Sequence, residues 1–549
     1  MPETPAEPVN PSGAAPASGG ASGGGPPGGG SVATGGASAA GLQRAMTAGT
    51  LTSAGITAFY LERIHRLNPA LHAVITVNPD AAAEDRASDA LRAGGGPRSP
   101  LEGIPILVKD NIQTTGMPAT AGSPALLHAR GGDAFLVRRL REAGAVIIGK
   151  ANMSEWANFR STHSTSGWST LGGQTANPFA LERNPSGSSS GSAAGIAAGL
   201  APLAVATETD GSIVCPASAC GVVGIKPTLG LISRSGIVPI SPAQDTAGPM
   251  ARSVADAAAL LSVLAAADPE DPAGQDNRPS AGRGPGAADY ASCCEPGALG
   301  GARIGIWRDG SAAAGATTTA VLDSAVTRLR ERGAIVIDPV ELPGVNQMEL
   351  PEFAALLHEF KHGIGAYLAG LPGDHPGSLT ELISFNQRNA ELVLPRFGQE
   401  LFEQAEATRG DLTDPGYREL RADAARLARL GVETPLVTHR LDAVVAVTAS
   451  PAWLTDYVLG DHSVFHTAAP AAVGGYPSVS LPFGYVWGLP VGISFMGPRW
   501  SESRLIALAY AFEQAAAAPS AAPAAPHVST GTPPHLAETL ARVSGMRRC

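Results

Sequence analysis

Charge is scarce in this chain. Only 16% of its 549 residues are Asp, Glu, Lys or Arg, and 38 basic residues face 48 acidic ones, a formal net charge of −10. No basic run breaks that balance, so the electrostatic footprint of nucleic-acid binding is absent and no such partner is expected. Cysteine is rarer still. Cys215, Cys220, Cys293, Cys294 and Cys549 are odd in number and partly adjacent, which reads as reduced thiols rather than a disulfide framework. Residues 1–40 hold no Leu, Ile, Phe, Lys or Arg. Such a stretch cannot bury a core and is expected to be disordered. It also lacks the charged start and apolar run of a secretory signal, so a cytoplasmic location is the expectation. Residues 517–549 begin as a second Ala/Pro-rich linker and tail, in which HLAETLARVSG reads as one short helix. A Pro-, Gly- and Asp-rich stretch, 268–301, reads as a long surface connection.

What is present is a core-forming middle. With 44% apolar residues the chain can bury a large interior, and length alone suggests three or four domains. Its most informative stretch is Asn184 to Pro216, NPSGSSSGSAAGIAAGLAPLAVATETDGSIVCP. Between Arg183 and Glu208 there is no charge but a cluster of hydroxyls, including Ser188, Ser189 and Ser190; Ser212 follows in an Asp-Gly-Ser turn. Ser/Gly runs are usually linkers, yet this one leads straight into AAGIAAGLAPLAVA, read as a buried helix followed by a strand. The stretch exceeds the ~20 residues a membrane span needs, but Pro202, the glycines and the low Leu/Ile/Phe content argue against a span. A hydroxyl in a tight turn, beside backbone N–H groups aimed into a cavity, can be a nucleophile with its oxyanion site. Leu101 to Ile112, LEGIPILVKDNI, presents Lys109 after five apolar residues. A buried strand would deliver that lysine into the interior, with Asp110 on the opposite face.

These three segments resemble, in order and spacing, the signature of the amidase signature family of serine hydrolases, and the similarity runs from about residue 41 to 516. The first Ser of the family's Ser pair corresponds to Ser188 and its nucleophile to Ser212, 24 positions on. Gly221 to Ala258, GVVGIKPTLGLISRSGIVPISPAQDTAGPMARSVADAA, continues the family pattern. The resemblance implies one large α/β domain, residues 41–516, with a mixed central sheet covered by helices on both faces. It also implies hydrolysis of a carboxamide C–N bond through an acyl-enzyme, with neither cofactor nor metal. In that scheme Lys109 is a neutral base, Ser188 sits on a cis peptide bond after Gly187 and bridges the proton relay, and Ser212 attacks. The oxyanion hole would come from the N–H groups of Thr209, Asp210, Gly211 and Ser212. Met153, Glu155, Trp156 and Ser189 would contact substrate, opposite a second wall from the helices within 351–406 and the 449–457 loop. Burial is what would keep Lys109 neutral, because the charged form loses solvation.

Some positions depart from the common pattern: Asp210 replaces a Gly, Glu208 an Asp, Val214 an Arg, and Ser190 a Gly. Together with the segment Ser154 to Pro178 these departures resemble the peptide amidase branch, whose members hydrolyse C-terminal carboxamides of peptides. The substrate expectation is therefore a small-molecule or peptide amide; a general aliphatic or aryl amidase is the alternative, and the oligomeric state stays open. Within the same family, the amidase subunit of tRNA-dependent amidotransferases fits less well. Two motifs point to other classes. HEFKH, His358 to His362, matches the zinc pattern HExxH, although His375 and Glu381 give no recognised third-ligand spacing. GSSSG, Gly187 to Gly191, matches the nucleophile elbow of α/β-hydrolases, which would make Ser189 the nucleophile with His462 or His466 as partner, but leaves Lys109 and the TETDGS loop without a role.

Overall fold

The computed structural model describes residues 36–274 and 289–516. The N-terminal stretch to residue 35, part of the 268–301 connection and the C-terminal tail with its HLAETLARVSG segment lie outside the described residues. A helix begins at Ala39, capped by the Ser38 hydroxyl on the Gly41 N–H, just ahead of residue 41.

Eleven strands make one sheet. They are β1 (Val74–Val77), β2 (Pro105–Lys109), β3 (Val146–Ala151), β4 (Leu203–Glu208), β5 (Val223–Lys226), β6 (Thr246–Ala251), β7 (Arg303–Ile306), β8 (Ile335–Ile337), β9 (Ala443–Val447), β10 (Ser478–Val486) and β11 (Leu489–Met496). Their order is β1-β3-β2-β4-β6-β5-β10-β11-β9-β7-β8. β2 runs parallel to both β3 and β4, and β7 parallel to β8 and β9. The connection between these halves is antiparallel, through β4–β6, β5–β6, β10–β5, β10–β11 and β9–β11. Every residue of β2, β3, β4, β6, β9 and β11 is buried. Successive strand residues point to opposite faces, so complete burial means that both faces are covered. The expected architecture, one large α/β domain on a mixed sheet, is the one observed.

The helices that bear on the site are α1 (Ser190–Ala197), α2 (Val214–Ala219), α3 (Val254–Leu264), α4 (Glu349–Gly370), α5 (Pro415–Thr438) and α6 (Glu502–Ala516). α1 and β4 are the helix and strand read from AAGIAAGLAPLAVA. α1 is built from small residues because it packs hard against the sheet and its neighbours. A Cβ on Gly191 would lie 2.3 Å from the Ala73 carbonyl oxygen, and one on Gly195 3.1 Å from a Leu107 methyl. Close approach, rather than membrane solvation, therefore explains the low Leu content. Among the described residues no helix is long and apolar enough to cross a membrane. A second core lies away from the sheet, where Met153, Trp156 and Phe159 meet Phe360, Ile364 and Phe402.

Candidate functional site

β2 ends on Lys109, which is fully buried. Its Nζ lies 2.8 Å from Ser188 Oγ, 2.9 Å from Thr207 Oγ1 and 3.1 Å from the Thr207 carbonyl oxygen. Burial pushes the ammonium pKa down to about 7, against the opposing pull of the Glu208 and Asp245 carboxylates. Asp110, the neighbour that could have held the lysine charged, is turned elsewhere. It lies 3.9 Å from Lys150 Nζ and accepts from the Thr120 hydroxyl and the Gly122 N–H. A neutral amine uses two N–H donors and one lone pair. The two Thr207 oxygens are acceptors for the donors, which leaves the lone pair for the Ser188 hydroxyl proton.

The Gly187–Ser188 peptide bond is cis. Gly187 is required there by crowding, since a Cβ would sit 2.3 Å from Ser154 Oγ. Ser188 and Ser189 then diverge. The Ser188 hydroxyl faces Lys109, whereas the Ser189 hydroxyl is fully buried and donates to the Thr207 carbonyl at 3.0 Å. Ser190 Oγ donates back to the Ser186 carbonyl at 2.6 Å. The Ser189 N–H reaches the Ser212 carbonyl at 3.3 Å, and this bond joins the two serine loops.

Ser212 follows the end of β4 through Thr209, Asp210 and Gly211, and its hydroxyl donates to no protein acceptor among the described residues. The turn depends on Gly211 at φ +76°, where a Cβ would also meet Cys215 Sγ at 2.9 Å. The N–H groups of Thr209, Asp210, Gly211 and Ser212 likewise have no hydrogen-bond acceptor among the described residues. Four consecutive free donors beside a hydroxyl are what an oxyanion site needs. Glu208 closes the turn from below. Its Oε2 accepts from the Ile213 and Val214 N–H groups at 2.7 and 3.1 Å, capping α2. A cavity of about 250 Å³ opens beside Ser188, Thr207 and Thr209, walled by Ile237, Val238 and His362; Ser212 lies outside its lining.

The expected substrate wall is differently made. Met153 and Trp156 are buried in the second core, where the Trp156 ring packs edge-on to Phe402. Glu155 is consumed by an ion pair with Arg160 and by the Thr170 N–H at 2.7 Å. Ser189 is tied to β4 as described. None of the four lines the cavity, whose contribution from this segment is Ala157. Trp156, Ala157 and Asn158 all have positive φ, +51°, +54° and +70°, and at this left-handed turn Trp156 packs into the second core while Ala157 lines the cavity. From the opposite wall, α4 does reach the cavity, through His362 and Gly363.

The competing motifs are spread apart. In HEFKH, Glu359 accepts from Arg421, Tyr417 and Ser241, and His362 Nδ1 contacts the Gly410 carbonyl. The His358 ring lies tilted against that of Tyr417, centroids 5.8 Å apart. No group of three His, Cys, Asp or Glu able to hold a metal occurs among the described residues. His462 pairs with Asp456, and His466 approaches Gly211 rather than Ser189. Cys215 and Cys220 are buried and free. Sequence reading missed Thr207, which holds Lys109 from two atoms, and Asn111, whose Nδ2 donates to Thr207 Oγ1 at 3.0 Å. Their only signal was position, two residues after Lys109 and five before Ser212.

Comparison with known proteins places this arrangement in company. The profile of the family described as Amidase matches residues 55–506. The native peptide amidase from Stenotrophomonas maltophilia, a solved structure, is 47% identical with a TM-score of 0.83, over 90% of this chain and 99% of its own. A "Probable amidase" of Arabidopsis thaliana is 41% identical over 85% of this chain and 87% of its own length. A subunit of the glutamyl-tRNA(Gln) amidotransferase of Symbiobacterium thermophilum is 35% identical over 86% of this chain and 96% of its own length.

Proposed function

The chain belongs to the amidase signature family and is an amide-hydrolysing enzyme, and from that premise we propose that it hydrolyses the C-terminal carboxamide of peptides to the free acid and ammonia. The observation that carries the chemistry is the 2.8 Å contact between buried Lys109 and Ser188. The likeness to a peptide amidase over nearly the whole chain supports the substrate class. In this reading, neutral Lys109 takes the Ser188 proton, Ser188 takes that of Ser212, and Ser212 Oγ bonds to the carbonyl carbon. The carbonyl oxygen gains charge against the N–H groups of residues 209–212. The relay then runs backwards and protonates the leaving nitrogen, the C–N bond breaks, and ammonia departs. Water, activated by the same pair, hydrolyses the acyl-enzyme and restores Ser212.

A panel of peptide carboxamides, benzamides, fatty amides and glutamine, scored by ammonia release, tests the substrate. Peptide carboxamides should lead in kcat/KM; preference for glutamine would move the assignment toward the amidotransferase relatives, and preference for benzamides toward a general amidase. Intact-mass labelling with a fluorophosphonate should add one group, on Ser212. Ser212→Ala should lose both label and several orders of magnitude of rate. Labelling on Ser189 instead would overturn the relay.

A further inference from the structure

The loop that carries the four free N–H groups is not held by its own strand alone. Thr209 is gripped at two points by consecutive residues of the segment leading into β6. Its hydroxyl donates to Asp245 Oδ1 at 2.6 Å, and its carbonyl oxygen accepts from Gln244 Nε2 at 3.3 Å. Asp245 is fixed in turn by the N–H groups of Ile240 and Ser241, both at 2.8 Å. Gln244 is buried and every part of its amide is used. Nε2 also donates to Glu352 Oε1 of α4 at 2.8 Å, and Oε1 accepts from Arg421 Nη1 of α5 at 2.6 Å. Arginine has only donors and a carbonyl only lone pairs, so the amide cannot be reversed without breaking both contacts. Arg421 is itself anchored on Glu359 at 2.6 and 2.7 Å. Thus the glutamate of the HEFKH motif is the far end of a chain of hydrogen bonds that reaches the loop before Ser212.

The geometry points to Gln244 as a positioning residue for the oxyanion hole: by holding the Thr209 carbonyl, it sets the direction of the Asp210 N–H. The warrant is the peptide unit. The 209–210 bond is trans, since the described cis bonds are Gly187–Ser188 and Asp338–Pro339. In a planar trans peptide the C=O and N–H point in opposite directions. Fastening the oxygen to Gln244 therefore turns the Asp210 N–H away from Gln244, to the side where it finds no protein acceptor among the described residues. Gly211, at φ +76°, is the next link, and its conformational freedom would let the 209–210 plane rotate if the carbonyl were released. Helices α4 and α5 would in this way hold the oxyanion donor in place before charge develops on substrate, which is where such donors gain most of their effect.

This inference rests on Ser212 as nucleophile, so Ser212→Ala is measured first; retained turnover there would refute the relay itself, not Gln244. With Ser212 established, Gln244→Met removes the donor at nearly constant size. Gln244→Asn keeps a buried amide one methylene too short to bridge. Both are measured on the best carboxamide of the panel, alongside the aldehyde analogue of that substrate, which adds the Ser212 hydroxyl across its C=O and leaves the former carbonyl oxygen, now singly bonded, in the oxyanion site. The expectation for Gln244→Met is a loss in kcat on the order of 10²-fold, the lower end for a lost oxyanion donor, with KM within about twofold and aldehyde affinity falling in step with kcat. Gln244→Asn should show the same split at smaller size. A purely structural role would instead lower the melting temperature and leave the kcat and aldehyde affinity of the folded fraction unchanged. Either variant folded with parental kcat and parental aldehyde affinity overturns the inference. So does failure of both to fold, because that would place Gln244 in the core rather than at the loop.

Discussion

In the proposed relay Lys109 can serve as base only because no neighbour compensates its charge fully. With its pKa near 7, the amine is protonated below that pH and neutral above it, and only the neutral form can accept the Ser188 proton. The rate should therefore rise as pH increases through about 7 and stay high into mildly alkaline solution, read as kcat/KM against pH. Lys109→Arg should not rescue, because a guanidinium stays protonated; full activity in that variant would refute the relay. Gly211 is the other residue for which one atom decides the outcome. Gly211→Ala forces a left-handed conformation on an L side chain and drives its methyl onto Cys215 Sγ. About 1–2 kcal/mol of stability should be lost, together with most of the turnover, as measured by denaturant melts and initial rates.

At the scale of elements, the short helix α2 starts on a carboxylate rather than a hydroxyl. Glu208 spans the turn and satisfies two N–H groups at the start of α2, a task the sequence marks only as an oddity at a position where the family has Asp. Glu208→Ala should cost about 1–2 kcal/mol through the lost cap. Glu208→Gln keeps an acceptor oxygen and should cost less, yet it has a second effect. The Glu208 charge raises the Lys109 pKa, so its removal should move the acid limb of the rate profile to lower pH; a limb that stayed in place or moved up would contradict the electrostatic assignment. α4 makes a contrasting point. Its HEFKH motif is a structural seam, with Glu359 spent on Arg421 and Tyr417. A chelator should leave turnover unchanged, and His358→Ala should retain most of it; stoichiometric zinc whose removal abolished activity would refute the serine mechanism.

At the scale of the whole molecule, the site segment is tied to residues 393–397 by the buried Arg160. Arg160 pairs with Glu155, donates to the Val393 carbonyl at 2.9 Å, and lies 4.3 Å from the centre of the Phe397 ring. Removing one partner strands the other charge in the interior. Arg160→Met should cost about 3–5 kcal/mol, and adding Glu155→Gln should recover part of that loss, as read from the melting temperatures of the two single variants and the double. The residue expected from sequence to touch substrate thus supports the site from behind.

Taken alone, the sequence was sufficient for whatever depends on local chemistry and order. Five apolar residues before Lys109 required a buried strand end, small residues after Ser190 required a helix in close contact with a sheet, and Asp-Gly-Ser required a tight turn. The family resemblance supplied the α/β fold and the amidase class. It could not say which way the side chains of this segment turn: Met153 and Trp156 pack into the second core and Glu155 is drawn to Arg160, so none of the three lines the cavity beside Ser188. Nor could it show that Gln244, Glu352, Glu359 and Arg421, far apart along the chain, meet behind one peptide group. Such contacts are set by the packing of α4 and α5 against the β6 approach. Hydrogen bonds between residues far apart in sequence leave no periodicity and no motif, and only the tertiary structure decides them.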